Sequence, residues 1–474
     1  MMALLYPGAF KPFRPAARFL RIGCVVASSA IAALLALPGG TRAQVSTVPG
    51  YTNYAAANGL GTNAAEPSIG TNWKSGRVLL QASTQTLRVT FNDAVSPATA
   101  VWEDKTGVAP ICAAPTTFDP ILFTDRTTGR SFESQLIPTP VVSSLTCMSD
   151  TDGDSWTPSE GGGIGSGIDH QTLGGGPFAA GLPGAVGAYP NAVYYCSQDV
   201  GAAFCSSSRD GGLTFSPAVP IYAATTCSGL HGHVKVAPDG TVYVPNKGCG
   251  GTLLGRTVQA AVVSTDDGLT WTLRPVPTSS PGISDPSVGI GVSGTVYFGY
   301  QNGDGHPHVS VSRDRGQTWA NDQDVGTAFG LQNAVFPTVV AGDDNRAAFA
   351  FLGTPTAGDF QAASFPGVWH LYVSHTYDSG TSWTTVDATP NDPVQRNCIW
   401  LSGGSNPCRN LLDFMDSAID QRGRVLVGYA DGCIDECITS AIAPGPSVPI
   451  IGYRTRLATI ARQSAGKGLL AAFD

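Results

Sequence analysis

A short turn pattern recurs along this 474-residue chain and constrains its fold more than any other feature. The pattern is Ser/Thr-x-Asp-x-Gly-x-Ser/Thr-aromatic, in which the aspartate can accept backbone N–H bonds and close a turn. The glycine supplies a backbone conformation that other residues resist. Repetition of one such turn predicts an array of similar structural units, with the repeated aspartates in a structural role. The four intact copies are residues 208–215, 264–271, 312–319 and 376–383.

A fifth copy, residues 149–156, is degenerate because its acids have moved to Asp150, Asp152 and Asp154. Three carboxylates at alternate positions are oxygen ligands of the kind that calcium prefers. The glycine of this segment comes earlier than in the helix-loop-helix calcium loop. Two interpretations therefore stay open, a degenerate turn and a site for calcium or another divalent metal.

A second repeat lies upstream of these turns. A polar or aromatic residue, often followed by proline, opens an apolar stretch that passes through a turn into a second apolar stretch. Each unit then reads as strand, turn, strand, strand, aspartate turn and strand, which is one four-stranded propeller blade. The many glycines (58) and prolines (34) and the low charged fraction (13%) suit short strands joined by tight turns. Seven units start at Glu66, Asp119, Asp169, His231, Asp285, Phe336 and Asp413.

The eight-residue pattern resembles the Asp-box, or BNR, repeat of sialidase-like β-propellers. The resemblance implies an exported, bacterial-type, all-β protein whose boxes lie at outer turns, away from the active centre. With seven units in the sequence, we predict a seven-bladed propeller of four-stranded antiparallel blades. The sialidases of this family have six blades, so a six-bladed propeller is the alternative.

The resemblance also implies catalytic machinery that this sequence does not reproduce. Sialidases grip the substrate carboxylate with three arginines and use an aspartate acid/base and a Tyr–Glu nucleophile. The Arg-Ile-Pro motif that supplies the first arginine is absent from residues 44–474, and Glu66 stands at the matching position. Arg396 and Arg409 precede the last inner strand and are candidates for binding an anion, but their spacing does not establish a triad. We therefore expect negligible sialidase activity.

Residues 1–43 are predicted to be a signal peptide. Basic residues precede a mostly apolar run, 22–37, and small residues precede a cleavage point before Gln44. The alternative is a membrane anchor, but the run is shorter than the roughly 20 residues that cross a bilayer. Cleavage predicts a secreted protein, extracellular or periplasmic, in which residues 44–462 form a single propeller domain and residues 463–474 a loose tail.

The charge of the chain limits its partners. Removing the predicted signal peptide takes away five of the 27 basic residues and none of the 35 acids, which leaves a net charge of −13. No basic run remains, so we expect neither a nucleic-acid partner nor a membrane partner after cleavage. A monomer is expected.

The cysteines agree with export. Cys24 lies in the predicted signal peptide, and the other ten form an even set, which in an exported protein indicates disulfides. We predict pairing between sequence neighbours, because neighbours fall within one hairpin or one loop. The predicted pairs are Cys112–Cys147, Cys196–Cys205, Cys227–Cys249, Cys398–Cys408 and Cys433–Cys437.

The residues that open the inner strands are the main candidates for chemistry, because a propeller gathers them at one mouth of its central channel. Paired acids can divide into a general acid and a base, imidazoles titrate near neutral pH, and several such groups together can hold a metal. The structural alternative is that these residues only begin strands and bond nearby N–H groups. The candidates are Glu66, Asp119, His170, His231, His233, Asp285, Asp413 and Asp416.

These observations favour a secreted propeller that binds an extracellular glycan or another surface ligand at the channel mouth, without the standard sialidase residues. The alternative is a glycan-active hydrolase or lyase that uses the acids and histidines of the mouth. A structural or partner-docking role is the third hypothesis. No cofactor is required by the sequence, and a divalent metal stays open.

Overall fold

The computed structural model describes residues 48–137, 143–160, 169–199, 202–251, 255–440 and 451–474. The predicted signal peptide lies outside the described residues. The described residues belong to one unit, Val45–Asp474, and consist almost entirely of antiparallel β-strands. The strands form seven sheets, each with a four-stranded antiparallel core. The protein is therefore a seven-bladed β-propeller, as the seven sequence units predict, and the six-bladed alternative is wrong.

The strands follow one another in chain order within the blades. Strand β1 is Gly50–Ala55. Blade one contains β2 (Ser68–Thr71), β3 (Val78–Ala82), β4 (Gln85–Asn92) and β5 (Thr99–Asp104). Blade two contains β6 (Phe118–Thr124), β7 (Ser131–Ile137), β8 (Ser143–Ser149) and β9 (Thr157–Pro158). Blade three contains β10 (Asp169–Gly176), β11 (Ala192–Gln198), β12 (Ala202–Ser208) and β13 (Val219–Ala223).

The later blades carry small additions to the same plan. Blade four has an interrupted inner strand, β14 (Cys227–His231) and β15 (Lys235–Val236), then β16 (Val242–Cys249), β17 (Val258–Ser264) and β18 (Thr272–Pro275). Blade five contains β19 (Ser287–Ile290), β20 (Val296–Gln301), β21 (Pro307–Ser312) and β22 (Ala320–Asp324). Blade six contains β23 (Asn333–Ala341), β24 (Ala347–Thr354), β25 (Val368–Thr376), β26 (Thr384–Asp387) and the short β27 (Gln395–Arg396). Blade seven contains β28 (Asp416–Ile419), β29 (Val425–Cys433) and β30 (Tyr453–Ala465).

Three short helical segments lie wholly within the described residues. A one-turn α-helix covers Glu436–Thr439, and 3₁₀ turns cover Thr327–Phe329 and Ala471–Phe473. No helix in the described part of the chain has the length and apolar character needed to cross a bilayer.

Blade seven is completed by the beginning of the chain. Strand β1 pairs antiparallel with β30, from Gly50 opposite Ala465 to Ala55 opposite Thr459. Because β1 is the outermost strand of a blade whose other strands come from the end of the chain, this pairing closes the ring. The first strands of the blades contact one another around the central channel, and β2 contacts both β6 and β28.

The segment after β30 differs from the predicted loose tail. Gln463 is part of β30, and Leu469 is fully buried in the core between blades six and seven. The carboxylate of Asp474 accepts two hydrogen bonds from the Arg346 guanidinium, at 2.7 and 2.8 Å. Burial of apolar side chains and a bidentate ion pair hold this segment on the propeller.

The aspartate turns lie where the repeat predicts them, between the third and fourth strands of their blades. The four intact copies join β12 to β13, β17 to β18, β21 to β22 and β25 to β26. Their aromatic residues, one phenylalanine and three tryptophans, cover the cores between neighbouring blades, as Trp383 does against the core formed by blades five and six. The turns therefore secure the outer edges of blades three to six and leave the channel to other residues.

The structure contains five disulfides, and they are the five neighbour pairs that the sequence predicts. Cys196 and Cys205 lie directly opposite each other on β11 and β12, and Cys227 and Cys249 do so on β14 and β16. Four of the bonds stay within one blade or one loop, and Cys112–Cys147 ties the connection between blades one and two to β8.

Candidate functional site

Four of the inner strands open with a residue in an unusual backbone conformation. Glu66, Asp119, His170 and Phe336 have positive φ, at 56°, 44°, 48° and 57° respectively. The strand register shifts around Asp119, His170 and Phe336, as in a β-bulge. A non-glycine residue in this region costs on the order of 1 kcal/mol and persists where the surrounding structure determines it. A bulge turns one side chain out of the normal alternation. His170 then reaches Asp285 of another blade, whereas Phe336 packs into the core between blades six and seven.

The structure brings the predicted mouth residues together at the end of the channel where the inner strands begin, which we call the upper end. Three contacts join different blades: His170 Nδ1 lies 3.1 Å from Asp285 Oδ2, the His170 backbone N–H donates to Asp119 at 2.9 Å, and the Asp413 N–H donates to Glu66 at 3.2 Å. We call this group the upper cluster, and it consists of Glu66, Asp119, Asp169, His170, His231, Asp285 and Asp413.

His233 and Asp416 form a second group with Lys235. His233 Nδ1 and Lys235 Nζ each lie 3.8 Å from Asp416 Oδ1. The other oxygen of Asp416 accepts the Ile69 N–H at 3.3 Å. Burial favours a higher pKa for Asp416, but the charges of Lys235 and His233 outweigh it and lower the pKa to about 2. All eight predicted residues are therefore near the channel axis, in two groups.

Three acids of the upper cluster, Glu66, Asp119 and Asp413, are protonated more readily than usual, and burial is the largest cause in each case. Burial, followed by the charges of Asp119 and Asp413, raises the pKa of Glu66 well above its ordinary value. Burial and the neighbouring Asp169 carboxyl raise the pKa of Asp119 in the same direction. Asp119, Asp169 and His170 place one ligand atom each within 4.8 Å of one another, the only such group of three among the described residues. This is where a proton shared between carboxylates, or a divalent metal, fits.

The pKa values of Asp285 and of the two imidazoles respond to particular charged neighbours. Burial favours a higher pKa for Asp285, but Lys247, whose Nζ lies 3.0 Å away, and His170 outweigh it and lower the pKa. Burial disfavours the His170 cation, yet Asp285 and the other nearby acids raise the pKa of this imidazole. Burial and then the charge of His170 lower the pKa of His231 to about 4. The pKa shifts therefore have both signs among the acids and among the imidazoles of the cluster.

The deep part of the upper cluster has no room for a sugar. The cavity between His170, His231, His233 and Asp285 has a volume of about 20 Å³, which fits one water molecule. Asp119 and Glu66 are buried, whereas Asp169 and Asp413 are partly exposed. A ligand at this end of the channel therefore meets Asp169 and Asp413 before it meets the buried acids.

Three residues at the upper end were missed by the sequence analysis. Phe118 is 56% exposed directly before Asp119, and Phe414 packs edge-on against His233 with ring centroids 4.7 Å apart. Lys247 neutralises Asp285 from the neighbouring blade. The two phenylalanines had a signal, since each is adjacent to a strand-opening aspartate. Lys247 had none, because its position follows only from the packing of blades four and five.

The candidate anion-binding arginines have internal partners. Arg396 donates to the carbonyls of Cys437 and Ile438, both at 2.8 Å, and so holds the one-turn helix. Arg409 makes a bidentate pair with Asp413, at 2.6 and 2.7 Å. Both guanidinium groups are thus already hydrogen-bonded within the protein, and they do not form a binding site for the carboxylate of a ligand.

The three acids of the degenerate repeat also have separate partners. Asp150 pairs with Arg130 at 2.6 Å. Asp152 accepts from Asn72 at 2.6 Å, and Asp154 pairs with Lys105 at 2.8 Å. Because neighbouring side chains hold the carboxylates individually, this segment behaves as a degenerate turn. The geometry does not assemble a calcium ligand set from these acids.

No protein-family model matches the sequence, and no curated protein matches it. Among solved structures, the chain is similar to a Hadza microbial sialidase, with 14% identity, 88% of this chain and 68% of that chain covered, and a TM-score of 0.39. It is also similar to the xyloglucanase of Xanthomonas campestris, with 13% identity, 83% and 55% coverage and a TM-score of 0.47, so it spans about half of that chain. A fungal lectin from Aleuria aurantia, described as a six-bladed β-propeller, gives 12% identity, 68% and 95% coverage and a TM-score of 0.42.

Proposed function

We propose that this protein binds an extracellular glycan at the upper end of its channel. The observation that supports this best is the convergence of acids and imidazoles from six blades beside the exposed ring of Phe118. Partly exposed carboxylates such as Asp169 accept hydrogen bonds from sugar hydroxyls, while an aromatic ring packs against the apolar face of a sugar. Groups on several rigid strands can hold a ligand with little loss of conformational entropy.

The charges of the upper end favour particular sugars. The cations Lys247 and Arg409 are paired with Asp285 and Asp413, so acids dominate what a ligand meets. A neutral sugar, an amino sugar or an acidic sugar bridged by a divalent metal suits this surface better than a free anion. In agreement with the missing arginine motif, we expect negligible turnover of ordinary sialosides, well below the about 1–1000 per second of typical enzymes.

A glycan-active hydrolase or lyase is the second candidate. The observation that favours it is the division of pKa values within one cluster, raised for Glu66 and Asp119 and lowered for Asp285. A protonated carboxyl and an ionised one can serve as general acid and base. Binding is favoured over catalysis because Glu66 and Asp119, the acids whose pKa values are raised well above the ordinary ones, are buried beneath the surface that a sugar contacts. The pKa of the partly exposed Asp413 is also raised, but Arg409 holds this carboxylate in an ion pair.

A glycan array tests the proposal directly. The mature protein is screened against neutral, amino-sugar and acidic oligosaccharides, with and without EDTA. Phe118→Ala and Asp169→Asn are expected to lose binding with little change in melting temperature, because the Phe118 side chain is exposed and the Asp169 side chain is partly exposed. Phe473→Ala is the matched control, since Phe473 is 57% exposed near the C-terminus and Phe118 is 56% exposed.

Variants of the deeper residues test whether the cluster has a functional role or only begins the inner strands. His231→Ala, His233→Ala and Asp285→Asn are compared for ligand binding, hydrolysis and melting temperature. Lost stability with intact binding would assign these groups to the fold alone. Absence of binding to every class of glycan, or binding that Phe118→Ala and Asp169→Asn leave unchanged, would contradict the proposal.

Export is part of the same proposal. The five disulfides suit an oxidising compartment outside the cytoplasm. N-terminal sequencing of the protein from the periplasm or culture medium is expected to begin at Gln44. A mature chain that retains residues 1–43 would contradict cleavage.

A further inference from the structure

A second and larger cavity lies at the other end of the channel, which we call the lower end. Its volume is about 350 Å³, within the range of pockets that bind small organic molecules. Its walls come from the ends of the inner strands and are largely apolar, with Phe123, Val236, Ile290 and Val340 among them. This lower cavity is therefore separate from the upper cluster and more than ten times larger than the cavity there.

The lower cavity contains a guanidinium without an acceptor. The Arg126 side chain lines the cavity and stacks on the Trp73 ring, 4.6 Å from its centroid. Among the described residues, this guanidinium has no hydrogen-bond or ion-pair partner, although it carries five N–H donors. Lys235, which also lines the cavity, has only the 3.8 Å contact with Asp416.

Asp125, the acid that lines the lower cavity, already uses both of its carboxylate oxygens as hydrogen-bond acceptors. One oxygen of Asp125 accepts the Thr127 and Thr128 N–H groups at 2.9 and 3.1 Å. Its other oxygen accepts from Tyr189 at 2.8 Å and from Asn191 at 2.7 Å. The unused hydrogen-bonding groups of Arg126 and Lys235 are therefore donors, and a ligand rich in acceptors complements them.

We propose that the lower cavity binds a small organic monocarboxylate with an apolar body. The carboxylate pairs with the planar fork of Arg126, and the body packs against the apolar walls. A monoanion suits the site better than a dianion, because Asp125 and Asp416 already offset the two cations that line the channel here. This site is independent of glycan binding at the upper end.

Benzoate tests the proposal, with benzamide as its uncharged isostere and phenyl phosphate as a dianion. Titration calorimetry and saturation-transfer NMR on the mature protein are expected to show benzoate binding at least about tenfold tighter than the other two probes. Arg126→Gln is expected to weaken benzoate about tenfold or more and to leave benzamide unchanged. Arg422→Gln is the matched control, because Arg422 is an exposed arginine in the corresponding turn of blade seven.

Melting temperatures and glycan binding by the same variants show whether the fold and the upper end are intact. Arg126→Lys keeps the charge without the fork and is expected to bind benzoate with intermediate affinity. Equal binding of benzoate and benzamide, unchanged benzoate binding by Arg126→Gln, or no benzoate binding by the parent at millimolar concentration would each overturn the proposal.

Discussion

Aspartates occupy two concentric positions in this propeller, the outer turns and the channel, and they are held in different ways. At the outer turns, Asp314 accepts the Thr318 N–H at 2.8 Å, the Thr318 hydroxyl at 2.6 Å and the Ser312 hydroxyl at 2.9 Å. All these partners lie within four residues. In the channel, the Asp285 carboxylate instead meets His170 from a distant blade, and the Glu66 carboxylate accepts a hydrogen bond from the backbone N–H of Asp413, near the other end of the chain.

The electrostatic consequences also differ. Partial burial works against ionisation of Asp314, but hydrogen bonds from Thr318 and Ser312 outweigh it and lower its pKa, and Asp210, Asp266 and Asp378 behave in the same way. In the channel the shifts have both signs, as Asp119 and Asp285 show. Local turns thus impose one environment on an aspartate, while tertiary packing imposes a different one on each.

The largest effect is expected from Asp285→Asn. This change leaves the buried His170 and Lys247 without their shared carboxylate, and breaking a buried pair costs about 3–5 kcal/mol. The lowered pKa of Asp285 means that the parent loses this stabilisation as pH falls below about 4 through the folded pKa. Denaturant unfolding at pH 7 measures the cost of the substitution, and unfolding of the parent at acid pH measures the loss of stabilisation. A cost below about 1 kcal/mol at pH 7 would show that Asp285 contributes no more than the aspartates of the outer turns.

Glu66→Gln is expected to change stability in the opposite direction. Because the pKa of Glu66 is raised above its usual 4.5, the folded state binds the proton more tightly than the unfolded state. The parent therefore loses stability as pH rises above 4.5, by up to about 1.4 kcal/mol per pH unit. Glutamine has no proton to lose, so the variant becomes more stable than the parent. The difference in unfolding free energy is expected to reach on the order of 2 kcal/mol near neutral pH. Unfolding from pH 4 to 8 measures the gain, and a loss that grows with pH would refute it.

Asp314→Ala is expected to be milder, at about 1 kcal/mol, because its three hydrogen bonds are local and two of them are solvent-exposed. Asp378→Ala makes the same change in the next blade, and the two costs are expected to add. Thermal unfolding of the single and double variants measures this. Strong non-additivity would mean that the outer turns communicate between blades.

The smallest effect is expected from Thr318→Val, which removes one hydroxyl and keeps the backbone bond to Asp314. We expect a cost of about 0.5 kcal/mol in unfolding free energy. Glycan binding at the upper end is expected to be unchanged in this variant, since the turn lies on the outer side of the blade. Reduced glycan binding would connect the outer turns to the functional end.

The turns of the blades could be predicted from sequence because each aspartate turn is determined by its own residues. In residues 312–319, the hydrogen bonds of the Ser312 and Asp314 side chains join residues within the same eight. Neighbouring cysteines such as Cys196 and Cys205 are likewise brought together by a single hairpin. Short-range interactions of this kind need no knowledge of the remaining chain, so the aspartate turns and the disulfide pairs followed from the local pattern. The number of blades followed from the seven strand-opening units.

The candidate site could be predicted only as a set of strand-opening residues. Which acid keeps its proton depends on burial and on neighbours 50 to 350 residues away in sequence, as the contacts of His170 with Asp119 and of Asp413 with Glu66 show. Packing also pairs Arg409 with Asp413, and it leaves a cavity of only about 20 Å³ between the histidines of the upper end and Asp285. At the lower end, it places the Arg126 guanidinium where no acceptor among the described residues reaches it. These outcomes arise from the approach of separate blades, because the electrostatic environment of a buried group is set by whatever the fold packs against it.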